Sequence, residues 1–272
     1  VLEAQPLPPA APAARPAPAP LASARGLRKA TAELLRLASF WTFVAVNLVQ
    51  VFNCHFNSNF MSITMGALLR LDSGLGARGL SSVLLTASSL LPHLIVVLLT
   101  PLTKSAGLHA VLRGLFAFKV CSGLLLALLC SADSWLAVTV FLVANKSFSE
   151  AICRHGNMVL ADICDEDRVV NHRETSISSL VFGANAFFTK AGQSFAPALG
   201  WALLGFYGYR DSVGEGVDGV EGVEMREGLF TMLWLGPVAC GAVQLLLWSR
   251  FALRGQRLRD IQGQIACREV VV

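Results

Sequence analysis

Lys190 and the pair Lys146/Glu150 are the residues of this chain best suited to chemistry, because each sits inside a long apolar run. A lysine at the centre of a membrane helix costs about 3 kcal/mol even on the mildest insertion scales. An acid, an amide, water or a ligand must therefore offset it. Lys146 and Glu150 lie four residues apart, one helical turn, and can neutralise each other, with Cys153 and Asn157 continuing the same face. Such a pair either opens and closes during a transport cycle or is a static internal ion pair, and the spacing allows both. Lys190 has no acid within four residues on its own helix. Gln193 follows one turn on, and Asn185 and Thr189 precede it. Its partner must come from another helix, from backbone carbonyls, from a ligand or from water. Substrate, ion or proton coupling is the functional reading, and a structural pair the alternative.

A second set of polar groups lies in the first apolar run. Asn47, Gln50, Asn53, Cys54 and Asn57 fall within roughly a third of a helix circumference, with His55 and Asn59 to one side. The stripe either lines an aqueous cavity or bonds to neighbouring helices; so many amides favour the cavity. Lys119, nearer the end of its run, is read as snorkelling to the interface. His93, beside Pro92, is read as a hydrogen-bonded packing residue. The seven cysteines are scattered with no C-x-x-C pair, which argues for small buried hydrophobes rather than a zinc site or disulfide framework. There is no His-Glu-x-x-His, no Gly-x-Ser-x-Gly and no pair of carboxylates flanking a pocket, so no enzyme, metal site or cofactor is expected. The Gly-Val-Glu repetition of 213–224 lacks the strand and the Lys-Ser/Thr of a phosphate loop and reads as a flexible external loop.

These groups need membrane helices to position them. The chain of 272 residues is 54% hydrophobic and only 15% charged, against about 25% charged in soluble domains, and its mean hydropathy is +0.58. The net charge of +4 forms no basic and aromatic face for nucleic acid. Apolar windows place six spans near 38–60, 80–102, 108–130, 134–159, 176–207 and 228–250, each able to cross about 30 Å of hydrocarbon. Basic residues gather in alternate connections: Arg15, Arg25, Arg28, Lys29 and Arg36; Lys104 and Arg113; Arg168 and Arg173; then Arg250, Arg254, Arg257 and Arg259. By the positive-inside bias both termini are cytoplasmic. The expected organisation is a Pro/Ala-rich cytoplasmic linker over 1–37, a six-helix bundle over 38–250 and a basic cytoplasmic tail over 251–272. A chain that opens on Val1 within such a linker is expected to be the back part of something larger.

Three motifs carry a family resemblance. Ala161-Asp162-x-x-Asp165-Glu166-Asp167, then Arg173-Glu174, then Lys190-x-Gly192 resembles the tenth helix, cytoplasmic loop and eleventh helix of the glycoside–pentoside–hexuronide:cation symporters, the melibiose-permease-like group of the major facilitator superfamily. Pro101-Leu102-Thr103-Lys104-x-x-Gly107 resembles that group's loop between the eighth and ninth helices, with Leu108 and His109 where basic residues are expected. Phe195-Ala196 and Gly205-Phe-Tyr-Gly-Tyr209 also fit. Within the group the chain looks closest to an orphan vertebrate branch.

The resemblance implies an all-α fold in which these six helices form the C-terminal half of a twelve-helix transporter. It implies a secondary active, symporter-like carrier moving a small polar solute such as a sugar by alternating access in the plasma membrane. H+ and Na+ are the candidate coupling ions, the bilayer and an N-terminal six-helix half the partners. Lys190, Gln193, Glu150, Lys146, Asn47, Gln50 and Asn53 would then hold solute or ion, and Asp162, Asp165 and Arg173 would form the cytoplasmic gate. The group's cation-binding acids lie in the half not represented, so the ion does not carry over. A non-transporting scaffold or receptor that keeps the fold is the alternative.

Overall fold

The computed structural model describes residues 24–69, 75–173, 175–207 and 220–271. The first 23 residues of the expected linker, Glu174, Tyr209 and the loop residues 213–219 lie outside the described residues. Eight helices account for nearly all the described residues: α1 (Ala24–Leu34), α2 (Ala38–Leu69), α3 (Leu75–Ala106), α4 (Leu108–Leu129), α5 (Trp135–Val170), α6 (Ser178–Phe206), α7 (Val220–Ser249) and α8 (Gln256–Val271). Each expected span falls on one of the helices α2 to α7. Helix α7 starts at Val220, so the last positions of the expected external loop are helical; the long apolar run behind them nucleates a helix that propagates back into it. The linker and tail also contribute helices, α1 and α8.

Four of the described helices are long and apolar enough to cross a membrane, and α1 with α2, bent by 77° at the break between them, makes a possible fifth. Helix α6, with 29 residues, is long enough, but Asn185, Lys190 and Gln193 dilute its apolarity. The chain is therefore an all-α, multi-pass membrane protein with four or five spans on length and composition, short of the six expected. Between α3 and α4 the chain turns at Gly107, whose φ of 85° is a left-handed conformation that side chains resist. That requirement explains the glycine of the Pro101–Gly107 motif.

Contacts along the helices fix their directions. Ser39 meets Glu166, Gln50 meets Ser149 and Ser58 meets Lys146, so α2 and α5 run antiparallel. Asn47 meets Asn185 while Phe60 faces Gly200, so α2 and α6 run parallel. The pairing among the six long helices has an internal symmetry. Helix α2 packs on α6 and α7 as α5 packs on α3 and α4; α4 packs on α7, and α2 on α5. Exchanging α2–α3–α4 for α5–α6–α7 thus reproduces nearly all the pairings, with the two leading helices reversed in direction.

Two apolar cores fill the bundle. One joins Phe40, Phe43 and Val44 of α2 to Leu112, Phe116, Ile163 and Trp248. The other joins Phe56, Phe60 and Met61 to Leu142, Leu204 and Leu229. The middle of α2, from Asn47 to Cys54, lies between them and carries the polar stripe.

Helix α6 meets the backbone of α2 at Gly192, where an added Cβ would sit 2.7 Å from the Leu48 carbonyl oxygen. A backbone atom cannot swing aside, so Gly192→Ala should force the helices apart and cost about 1–3 kcal/mol. At Gly183 an added Cβ meets nothing within 4 Å. Thermal unfolding in detergent is expected to show a lower midpoint for Gly192→Ala and an unchanged one for Gly183→Ala.

Candidate functional site

The polar belt between the two cores is organised by Lys119, which is 3% exposed. Its Nζ donates to Gln50 Oε1 at 2.9 Å and to Gln244 Oε1 at 3.0 Å. Gln244 Nε2 donates in turn to Gln50 Oε1 at 2.8 Å, and Gln50 Nε2 donates to the Ser149 carbonyl at 2.7 Å. Asn53 Nδ2 donates to Ser149 Oγ at 3.1 Å. Among the described residues no carboxylate lies within ion-pairing distance of Lys119. Its charge is carried by the dipoles of two amides, which tie α2, α4, α5 and α7 together.

This geometry corrects one reading: Lys119 does not snorkel, because the helices around it close over its ammonium group. Gln50 and Asn53, 1% exposed each, bond to neighbouring helices, and Gln50 with Asn47 also borders a void of about 10 Å³. Asn47, half-buried, donates to Asn185 Oδ1 across the α2–α6 contact at 3.2 Å.

A second polar region faces outward from the same helices. On α5, Lys146 lies 3.5 Å from Glu150 and donates to Ser58 of α2 at 3.2 Å. Two turns on, the exposed Arg154 reaches His93 of α3, also exposed, at 3.2 Å. Of the expected face of Lys146, Glu150, Cys153 and Asn157, Cys153 turns onto Cys54 of α2, while Asn157 and the neighbouring Arg154 are exposed. Beside this region, Asn57, Asn145 and Lys146 border a pocket of about 20 Å³, room for roughly one water. Asn57 Nδ2 is buried beside this pocket without a hydrogen-bond partner.

Lys190 and Gln193 are exposed on α6. No hydrogen bond or ion pair holds Lys190 among the described residues. The structure therefore leaves it apart from the Lys119 belt and does not join it to the Lys146–Glu150 pair.

The cytoplasmic-gate residues divide. Arg173 bridges Asp167 of α5 and Glu33 of α1, at 2.6 Å each. Asn171 Nδ2 donates to the same Asp167 at 2.7 Å. Glu166, next to it, accepts from Ser39 of α2 and pairs with Arg257 of α8. Glu166 and Asp167 are 1% and 0% exposed and carry these links from α5 to α1, α2 and α8. Sequence spacing could not separate them, because the four acids of 162–167 spread around most of the helix.

No family model matches the chain. Over 250 residues, 85% of its length, it is 38% identical to Transmembrane protein 180 of Mus musculus. Over 245 residues it is 36% identical to the protein of the same name from Gallus gallus. The chain spans about half the length of these curated relatives, 47% of each. Their name is that of the orphan branch the sequence motifs resemble, and it agrees with the apolar helices in describing a membrane protein.

The Lys119 belt makes a stability prediction. Gln50→Leu removes one acceptor of Lys119, the main partner of Gln244 Nε2 and a donor to Ser149. Leaving such buried groups unpaired costs about 1–3 kcal/mol each. The expected outcome is a large fall in the thermal midpoint of the protein in detergent. The combined Lys119→Met/Gln50→Leu variant should lose less than the sum of the two single changes, the signature of residues in one network.

Proposed function

We propose that this chain is the C-terminal half of a major-facilitator-type secondary transporter, with six spans of which α6 is the polar one. It acts as a carrier rather than an enzyme, moving a small polar solute such as a sugar by alternating access. The observation that carries this reading is the outward charged region of α2, α3 and α5. Arg154 and His93 lie exposed on membrane helices and Glu150 is partly exposed beside them, with Lys146 behind it against α2, where lipid would make such charges costly. They call for water, solute or a second helical unit over that surface. The paired exchange of α2–α3–α4 with α5–α6–α7 supports the same reading, since transporter halves are built from inverted three-helix repeats around a midplane site. The relatives are about twice the length of the matched region, which leaves room in them for a second unit of the same size.

In this reading Lys146, Glu150 and Arg154 line the solute path, Lys190 and Gln193 complete it from α6 when the second half is in place, and H+ or Na+ drives uptake. The Lys119 belt is the fixed floor that holds α2, α4, α5 and α7 together behind that path. The ion-paired ends of α1, α5 and α8 close the cytoplasmic mouth, and both termini lie in the cytoplasm of a plasma-membrane protein.

Counterflow in proteoliposomes holding the full-length protein tests the activity, with sugars, lysolipids and amino acids as the panel. Saturable exchange of one class is expected, reduced at least tenfold, about 1.4 kcal/mol, by Glu150→Gln and by Lys190→Ala. No saturable exchange with any solute would mark a non-transporting scaffold instead. Orientation is tested on Cys267, exposed on α8: an impermeant maleimide should label it only after the cells are permeabilised.

A further inference from the structure

Two cysteines that lie far apart in the chain meet at the centre of the bundle. Cys54 of α2 and Cys153 of α5 have their sulfurs 3.0 Å apart, and both residues are free and only partly buried. The contact lies in the antiparallel α2–α5 packing, where Cys54 Sγ is also 3.5 Å from the Ser149 carbonyl oxygen. Gln50 Nε2 faces both sulfurs, at 3.3 Å from Cys54 and 3.7 Å from Cys153. The carbonyl of that same amide accepts from Lys119. The lysine charge therefore polarises Gln50, and the amide turns its positive end toward the two sulfurs. A hydrogen-bond donor backed by a cation is the environment in which a thiolate, the reactive form of cysteine, is stabilised.

We propose that Cys54 and Cys153 form an oxidisable dithiol, a site of reversible disulfide formation joining α2 to α5, with a peroxide as the oxidant. The thiolate of one cysteine attacks a peroxide oxygen and breaks the O–O bond. For hydrogen peroxide this gives a sulfenic acid and hydroxide, which takes up the thiol proton as water. The second sulfur then attacks the sulfenic sulfur, the S–O bond breaks, and a second water leaves with the remaining thiol proton. Two thiols lose two electrons and the peroxide gains two. The sulfurs need to approach by about 1 Å to reach the bonded distance of about 2.05 Å. The other described cysteines act as internal controls: Cys121 and Cys267 are exposed, Cys130 is partly buried, and Cys164 and Cys240 are buried.

The test treats the full-length protein in nanodiscs with a few equivalents of hydrogen peroxide, blocks remaining thiols with iodoacetamide and maps peptides by mass spectrometry. The expected result is a Cys54–Cys153 cross-linked peptide that forms before Cys121 or Cys267 is modified and disappears on treatment with dithiothreitol. Cys54→Ser should abolish the cross-link and leave Cys153 as a sulfenic acid trapped by dimedone. Cross-link formation in the wild type decides the matter even if that variant fails to fold. Oxidation confined to Cys121 and Cys267, with Cys54 and Cys153 recovered fully alkylated, would overturn the proposal.

Discussion

A lysine buried among apolar helices without an acid beside it is the constraint on which the rest of the structure depends. The net attraction of Lys119 for its surroundings rests on two glutamine carbonyls and on the exclusion of competing arrangements. Gln50 and Gln244 must lie at the same height on α2 and α7 for their oxygens to converge on one ammonium. That fixes the register of three helices at once. A buried polar network contributes little to stability when complete and costs a great deal when broken, so it specifies one packing among several that an apolar core would tolerate. The two apolar cores on either side supply adhesion, and the belt between them supplies register.

The same belt separates two kinds of polar group that look alike along the chain. Those on the inner side of α2, Gln50 and Asn53, bond to other helices. Those on α5 that face outward, Lys146, Glu150 and Arg154, are only partly satisfied within the described residues. In the proposed function, the inner layer holds shape and the more exposed groups meet solute or a second half. At the far end of α5, Arg173 and Arg257 bring α1 and α8 onto the buried Asp167 and Glu166. Segments that read as linker and tail are thereby built into the bundle.

Much of the fold was legible because apolar run length is nearly one-dimensional information. All the helices from α2 to α7 coincide with windows of hydropathy, and the Lys146–Glu150 pair follows from helical spacing alone. What was not legible depends on rotation and on distance in the chain. Lys119 and Lys190 each stand alone in an apolar run, and nothing local says which one turns inward; the structure buries Lys119 and exposes Lys190. Gln244 gave no signal, since a single amide in a long apolar segment has no periodic partner. Arg154 was hidden between Cys153 and His155, of which the histidine turns inward, its Nδ1 2.9 Å from the Ala151 carbonyl oxygen. The meeting of Cys54 with Cys153 is a tertiary event that no spacing rule reaches.

The central claim is that the charged region of α5 meets water while the belt behind it stays dry. Cysteine scanning along α5 in the full-length protein, in native membranes and with a membrane-impermeant charged thiosulfonate reagent, tests it most directly. The account predicts rapid modification of cysteines placed at 150, 154 and 157 and protection of those placed at 149, 152 and 156. Uniform protection along the helix, or reactivity at the second set equal to the first, would contradict it.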